Sequence, residues 1–424
     1  MSVINKYYSR AIEEVINKSF SNNKVVTIIG ARQVGKSTVV EKLYPNIDSI
    51  ALKTDFVISS ARTNPDSFLI KLSLPAYIDE AQRAPELFGS IQDIVDANAF
   101  YSQFILSGSN SLSLDKNIKE SLSGRSSIIR MVGLSLREIF EIDFNKHFVL
   151  DNEYLKDREK CLKSYGDIYF YIHRGSYPEL YDNKSKDWEE FYSSYVQTYI
   201  EKDVLTNIDI KDMTAFTRFL IATASRTGEV LNYDSIASDV GVSPVTIKTW
   251  ISLLVRTNII FLLEPYYNSH LNRIIKSSKL YFYDTGLAAY LSGWLSKDQL
   301  ERGAKSGEFF ETFVVNEIIK SFINKGEDFT KRVFYYRGKD KKKKTIDGVE
   351  RNIESEIDLI IEENGTLYPI EIKKKDKPTA SDASSFDVLD KVLNKKRGLG
   401  AIVCTCSHAV YLKDNFVALP IEYL

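Results

Sequence analysis

Residues 28–43 read IIGARQVGKSTVVEKL. A β-branched run, KVVTII at 24–29, leads into this stretch, and its second half has a helical composition. Between them lies G-x-x-x-x-G-K-S, from Gly30 to Ser37. Glycine lets a backbone curl so that successive N–H groups point at phosphate oxygens. The N-terminus of the following helix adds positive potential. The nucleotide-binding segment expected here is Gly30, Ala31, Arg32, Gln33, Val34, Gly35, Lys36, Ser37 and Thr38. Lys36 reaches the β- and γ-phosphates of ATP, and Ser37 holds Mg²⁺. A plain glycine-containing loop is the bland alternative, but it does not call for a strand before it and a helix after it.

More short apolar runs follow at SIALK, PAYIDE and SQFILSGS, separated by stretches of helical length. Strands alternating with helices predict βαβ units around a parallel sheet. In PAYIDEAQRAPELF, Asp79 ends a buried-type strand, where it serves as a second anchor for Mg²⁺. Glu80 follows as a candidate base for water. The third run ends in small polar residues, and there Ser109 or Asn110 orients the attacking water. Arg125, in SLSGRSS, is a candidate to neutralise transition-state charge, in cis or from a neighbouring subunit. Against these roles stand an exposed acidic pair, ordinary turn chemistry and a solvated arginine.

The rest of the composition narrows the class. At 424 residues the chain is too long for a single small core. Fifty-six Lys and Arg face 57 Asp and Glu, so no global field draws the protein onto a polyanion. Three cysteines make no disulfide framework, which points to a reducing, cytoplasmic setting. No run approaches the ~20 apolar residues of a membrane span. The four histidines show no ligand spacing.

Together, GARQVGKST, YIDEAQRAPELF, LSGS and SLSGR resemble a family of archaeal and bacterial AAA-type P-loop ATPases. So do RGSYPEL (174–180), YIEKDV (199–204) and KLYFYDTGL (279–287). The resemblance implies ATP binding through Lys36 and Ser37, with Asp79 and Glu80 as the second acidic motif. It also implies a helical and winged-helix region, followed by a C-terminal domain similar to PD-(D/E)xK nucleases. One departure is visible: where the family often has Leu-Asp-Asp, this chain reads ALKTDF, and Asp55 takes no assignment.

The middle of the chain supports that order. In LNYDSIASDVGVSPVTIKTWISLLVRTNIIFLLEPY, Ile236, Ala237 and Val240 line one helical face, and Ile247, Ile251 and Leu254 line another. Ser243 is a good N-cap with Pro244 at the first helical position. The pattern predicts a helix-turn-helix followed by a wing, with Thr246, Lys248, Thr249 and Arg256 exposed. Such modules contact DNA or couple proteins. Arg273, Lys276 and Lys279 read as a modest basic strip, and KDKKKK at 339–344 as a solvated loop able to contact phosphates.

The C-terminal stretch ESEIDLIIEENGTLYPIEIKKKDKP predicts two strands around an Asn-Gly turn. Period-two alternation puts Glu371 and Lys373 on one face. β-structure disfavours Asp, so Asp358 inside a strand is unusual. Asp358, Glu371 and the Ile372 carbonyl suit a hard divalent ion, with Lys373 as a catalytic group. Glu311, on the helical stretch GEFFETFVVNEIIKSFI, resembles the helix glutamate of the nuclease-like fold. An ordinary hairpin with a solvated basic end is the alternative.

The expected fold class is therefore α/β, in four parts. A P-loop AAA-type ATPase domain with a parallel sheet spans 1–148 and a helical region 149–230. A winged-helix domain spans 231–300, and a C-terminal α/β restriction-endonuclease-like domain 301–424. Three expected catalytic groups (Lys36, Glu80, Ser109) are joined by Arg125 at the ATP site; Glu371 and Lys373 serve the second site. Ser37 and Asp79 are the first metal set, and Asp358, Glu371 and Glu311 the second. The cofactors are ATP and Mg²⁺, with a further Mg²⁺ or Mn²⁺ in the C-terminal domain. The expected function is ATP hydrolysis coupled to a nucleic-acid-binding, metal-dependent nuclease-like domain, with DNA ahead of RNA, a homo-oligomer as a candidate assembly and no membrane. The alternative is a nucleotide-dependent regulatory ATPase whose nuclease-like platform is inactive and binds a protein or nucleic-acid partner.

Overall fold

Strands β1 (Val25–Ile29), β3 (Ala76–Asp79) and β4 (Phe104–Gly108) are buried along their whole length. That is the environment continuous apolar runs require. With β2 (Asp48–Ala51) and β5 (Ser126–Arg130) they form a sheet in the order β2-β3-β4-β1-β5. Every pairing is parallel. The edge strand β5 reads SSIIR and buries only Ile129, so no apolar run marks it in the sequence. The computed structural model describes residues 6–109, 121–182, 186–200, 212–267, 277–346, 349–392 and 396–424. Asn110, Arg273, Lys276 and most of YIEKDV lie outside them.

The first helix, Glu13–Asn22, precedes β1. Before it, the buried Arg10 turns inward instead of continuing a helix, and donates to Glu138 and to the carbonyls of Val34 and Val132.

In the middle region, helices Met213–Ala224, Tyr233–Val240 and Pro244–Arg256 precede an antiparallel ribbon of β6 (Ile260–Leu263) and β7 (Lys279–Phe282). The expected cap is present: Ser243 Oγ accepts from the Thr246 N–H at 3.1 Å. Ile236, Ala237, Val240, Ile247, Ile251 and Leu254 are all buried. Lys248, Thr249 and Arg256 are exposed, while Thr246 is half-buried.

The C-terminal sheet contains β8 (Val333–Ile346), β9 (Val349–Glu363), β10 (Thr366–Lys373), β11 (Lys396–Arg397), β12 (Gly400–Cys404), β13 (Val410–Lys413) and β14 (Phe416–Pro420). Its main path is β13-β14-β12-β10-β9-β8, with β11 beside β10. Asn364 and Gly365 turn β9 into β10 with φ of 49° and 75°, the two left-handed positions of a type I′ hairpin. The run at 339–344 is not a loop. Its backbone belongs to β8 and pairs with β9 at Lys339, Lys343 and Lys344, with a break in register between Lys339 and Lys343, and a lysine-rich edge strand is a common guard against edge-to-edge association.

The helix Ser306–Ile323 buries 15 of its 18 residues. A helix buried on nearly every side belongs inside a core, and this one does, with its few buried polar side chains paired. One hydrophobic cluster runs from Ile12 through the middle region to Leu424, so all four expected regions contribute to it. Among the described residues, no helix is long and apolar enough to cross a membrane.

Asp284 ties two of these regions together. Its carboxylate accepts from the Ser176 N–H (2.6 Å), Ser176 Oγ (2.8 Å), Tyr192 OH (2.7 Å) and the Leu287 N–H (2.7 Å). Asp284→Ala leaves these buried donors without their acceptor. It is expected to lower stability by roughly 2–4 kcal/mol, read as a lower urea midpoint, with Asp284→Asn losing less.

Candidate functional site

The phosphate loop takes the shape its glycines allow. Gly35 has φ 94°, and Gln33 is also left-handed at 62°. A Cβ at Gly30 would meet the Met131 carbonyl oxygen at 2.1 Å, so the loop passes too close to the segment after β5 for any side chain there. The helix Lys36–Leu43 starts at the loop's end. Lys36 is buried, and its ammonium donates to the carbonyls of Gly30 (2.9 Å) and Ala31 (2.8 Å). Positive charge therefore sits inside the curl.

Asp79 ends β3 beside this loop, as expected, and Ser37 Oγ donates to its Oδ2 at 3.0 Å. On the other oxygen it accepts from Ser107 Oγ (2.5 Å), Tyr77 OH (3.1 Å) and the Glu80 N–H (3.1 Å). Burial and the Asp79 charge raise the Tyr77 hydroxyl above its ordinary range, so it remains a donor. Ser37 and Asp79 present only oxygen, the donor set that suits Mg²⁺. Glu80, left-handed at φ 57°, accepts from Gln82 and, at 3.4 Å, from Ser109. Lys36, Ser37, Asp79, Glu80 and Ser109 are thus brought together.

Arg125 is not. It precedes β5, whose first residue is level with Val25, while the phosphate loop follows Ile29. The guanidinium stands a strand's length away, roughly 16 Å, in a two-point ion pair with Asp96 at 2.5 and 2.8 Å. A role in cis is corrected by that placement. Arg10, Tyr77 and Ser107 are the residues that sequence reasoning missed. Tyr77 was accessible to it, since period two puts Tyr77 and Asp79 on one face of β3.

In the C-terminal region, Glu371 and Lys373 do share a face, and Asp358 on β9 joins them. Lys373 Nζ lies 2.7 Å from Glu371 Oε2 and 3.2 Å from Asp358 Oδ2. The Ile372 N–H donates to the same Asp358 oxygen at 2.8 Å, so the backbone turns its donor to Asp358. A further cation enters from β7: Lys279 Nζ lies 2.7 Å from Glu356 Oε1, 3.1 Å from Glu311 Oε1 and 4.0 Å from Asp358 Oδ1. Tyr281 OH donates to Glu311 at 2.7 Å, and Ser385 Oγ to Glu371 at 2.5 Å.

This corrects two expectations. Lys279 is not part of a basic surface strip; its side chain is only 4% exposed. Nor do Asp358, Glu371 and Glu311 converge on one ion. Among the described residues, no group of three His, Cys, Asp or Glu side chains is disposed to hold a metal. Two ammonium groups and an N–H engage the carboxylates instead. Burial, followed by the charge of Asp358, pushes Glu371 up to about 8 and Glu311 up to about 7. Burial opposes the charge of Lys279, but the surrounding Tyr281, Glu311, Asp358 and Glu356 hold it well above the usual lysine range.

Residues 22–140 match a family model described as an AAA domain. Residues 165–298 and 306–424 match two domains of unknown function, DUF8612 and DUF4143. Uncharacterized proteins of Mycobacterium tuberculosis and Mycobacterium bovis are each 24% identical over 411 residues, covering 96% of this chain and 82% of the relative. A Walker-type ATPase of Pyrococcus abyssi aligns with 67% of this chain and 96% of its own, at 13% identity and a TM-score of 0.41. The Thermotoga maritima RuvB Holliday junction branch migration motor aligns with 59% and 88%, at 15% identity and a TM-score of 0.28. The segment that matches the AAA domain model is the one that carries the phosphate loop, Asp79 and Glu80.

The raised carboxyls give a pH dependence with a definite sign. A carboxyl with a raised folded-state value binds its proton more tightly in the folded chain. Its contribution is complete below its unfolded value of 4.5 and is lost as pH rises through the folded value, about 8 for Glu371. The melting temperature is expected to fall between about pH 5 and pH 8. Glu371→Gln should flatten that decline in a thermal-shift series at constant ionic strength.

Proposed function

We propose that the chain binds ATP with Mg²⁺ at Lys36, Ser37 and Asp79 and hydrolyses it, with Glu80 as the base. The observation that carries this is the 3.0 Å contact of Ser37 with Asp79 beneath a loop that already holds the Lys36 ammonium. Bound Mg²⁺ would screen phosphate charge. The chain's own groups supply the rest: loop N–H groups orient phosphate oxygens, Lys36 stabilises charge on them, and Glu80, aligned by Gln82 and Ser109, accepts a proton from water. Arg125 suits a neighbouring subunit's site in a homo-oligomer, because it lies at the far end of its own sheet.

Three helices followed by the β6–β7 ribbon support the winged-helix reading of the middle region. For the C-terminal region, the two lysines among the carboxylates favour a nuclease-like platform that binds a nucleic-acid or protein partner over a metal-dependent nuclease. Incubation of the full chain with plasmid, linear DNA and RNA, with Mg²⁺ or Mn²⁺ and with or without ATP, tests this. Cleavage lost in Glu371→Gln would restore the nuclease reading.

Lys36→Ala is expected to lower ATP turnover by about 100-fold or more and to weaken ATP binding. Glu80→Gln should retain binding and lose turnover to a similar degree. Steady-state phosphate release and nucleotide titration separate the two. Near-normal turnover in Lys36→Ala refutes the assignment, and loss of binding in Glu80→Gln makes that residue structural or metal-binding.

A further inference from the structure

Two thiols, Cys404 and Cys406, stand at the end of β12. Cys404 is its last residue and is wholly buried, while Cys406 is half-buried. Period two puts residues i and i+2 on one face of a strand. A straight strand would still keep their Cα atoms about 6.6 Å apart, near the outer limit for a disulfide. Here the chain bends at Thr405, directly after β12, and the two sulfurs are 3.0 Å apart. The bend is fixed from outside. The Thr405 N–H donates to the Lys375 carbonyl at 3.2 Å, and Thr405 Oγ1 donates to Asp376 at 2.6 Å. Cys404 is held in register with Lys373 of β10 on one side and Pro420 of β14 on the other. Its sulfur lies 3.9 Å from the Leu419 carbonyl, a contact too long to hold it away from Cys406.

We propose that Cys404 and Cys406 form a reversible dithiol–disulfide site that hydroperoxides oxidise. Cys406 is the point of entry, because of the two it is the one that reaches solvent. Its thiolate attacks a peroxide oxygen. An S–O bond forms, the O–O bond breaks, and the leaving oxygen takes a proton as water or an alcohol. Cys404, 3.0 Å away, then gives up its proton and attacks the sulfenic sulfur. The S–S bond forms, the S–O bond breaks, and hydroxide leaves with that proton as water. The two thiols lose two electrons and two protons, and the peroxide takes them. A resolving sulfur so near captures the sulfenic acid before a second peroxide carries it to sulfinic acid. Thiol–disulfide exchange with a dithiol, itself oxidised in turn, restores both thiols. In a reducing compartment a disulfide of this kind is transient and redox-sensing. The closed ring would sit on the turn that Thr405 ties to Lys375 and Asp376, just past Lys373.

The test treats the full chain with hydrogen peroxide, blocks remaining thiols with iodoacetamide and maps the cysteine peptides by mass spectrometry. The peptide holding Cys404 and Cys406 is expected to lose two hydrogens and to resist the block, and dithiothreitol should restore both thiols. In Cys404→Ser, Cys406 lacks its resolving partner, and about tenfold more of it is expected to reach sulfinic acid at the same dose. In Cys406→Ser, the buried Cys404 should stay a free thiol. Should either variant fail to fold, the mass of the peptide from the unsubstituted chain decides alone. Three results overturn the proposal. One is that both thiols of the unsubstituted chain stay open to the block at a dose that oxidises free glutathione. Another is equal sulfinic acid at Cys406 with and without Cys404. The third is a disulfide from either sulfur to Cys161 or to a second chain in place of the Cys404–Cys406 bond, found by peptide mapping and non-reducing electrophoresis.

Discussion

Glu317 and Lys320 form an ion pair at 2.8 Å with both side chains almost wholly buried. Much of the structure depends on what else they hold. Glu317 accepts from the Leu136 N–H at 2.8 Å, and Lys320 donates to the Leu134 carbonyl at 2.8 Å. The helix Ser306–Ile323 is thereby fastened to the segment that follows β5. That segment also carries Glu138, which holds Arg10, and Arg10 in turn donates to Val34 inside the phosphate loop. A buried ion pair is weak evidence for net stability, yet removing one partner is costly because the other charge is left stranded. The pair's clearest effect is positional: it sets where the C-terminal helix stands relative to the nucleotide site.

The same helix presents Glu311 to Lys279 two turns before Glu317. One rigid element therefore touches the surroundings of both candidate sites. A helix buried on all sides moves as a body or not at all, since interiors are close-packed and do not deform continuously. Any displacement of the segment 134–138, which opens the short helix Leu136–Ile139, would reach the carboxylates near β9 as a shift of that body. This is a physical route for coupling, and it needs no contact between the two sites.

The parts of the fold legible in the sequence were those with a local signal. Runs such as VVTII and AYID announce buried strands, the glycines and lysine of the loop announce its curl, and Ser243-Pro244 announces a helix start. Asn364-Gly365 announces a tight hairpin. What escaped was set by long-range partners. β5 is a strand only because β1 offers it an edge. KDKKKK looks like solvated charge until β9 pairs with it. Arg125 sits in a loop rich in Ser and Gly, whether or not the nucleotide is near. Lys279 shows the limit best, because it looks like surface charge in sequence. Its alternation with Tyr281 on a short apolar strand was the available sign that it points inward, but its acidic partners lie about thirty and eighty residues further on.

The bond from Leu136 to Glu317 spans 181 residues. A ribosome adding about 5–20 residues per second needs roughly 10–40 s to make that distance. During that interval the nascent AAA-type segment has no partner for the Leu136 amide, and the face awaiting the long helix is bare. The phosphate loop, Arg10 and Glu138 can be synthesised early, but the segment 134–138 gains its bonds to Glu317 and Lys320 only after about three quarters of the chain has been made. Chaperone engagement and proteolytic risk should therefore concentrate in this window of synthesis, while the segment 134–138 lacks the partners that the long helix brings.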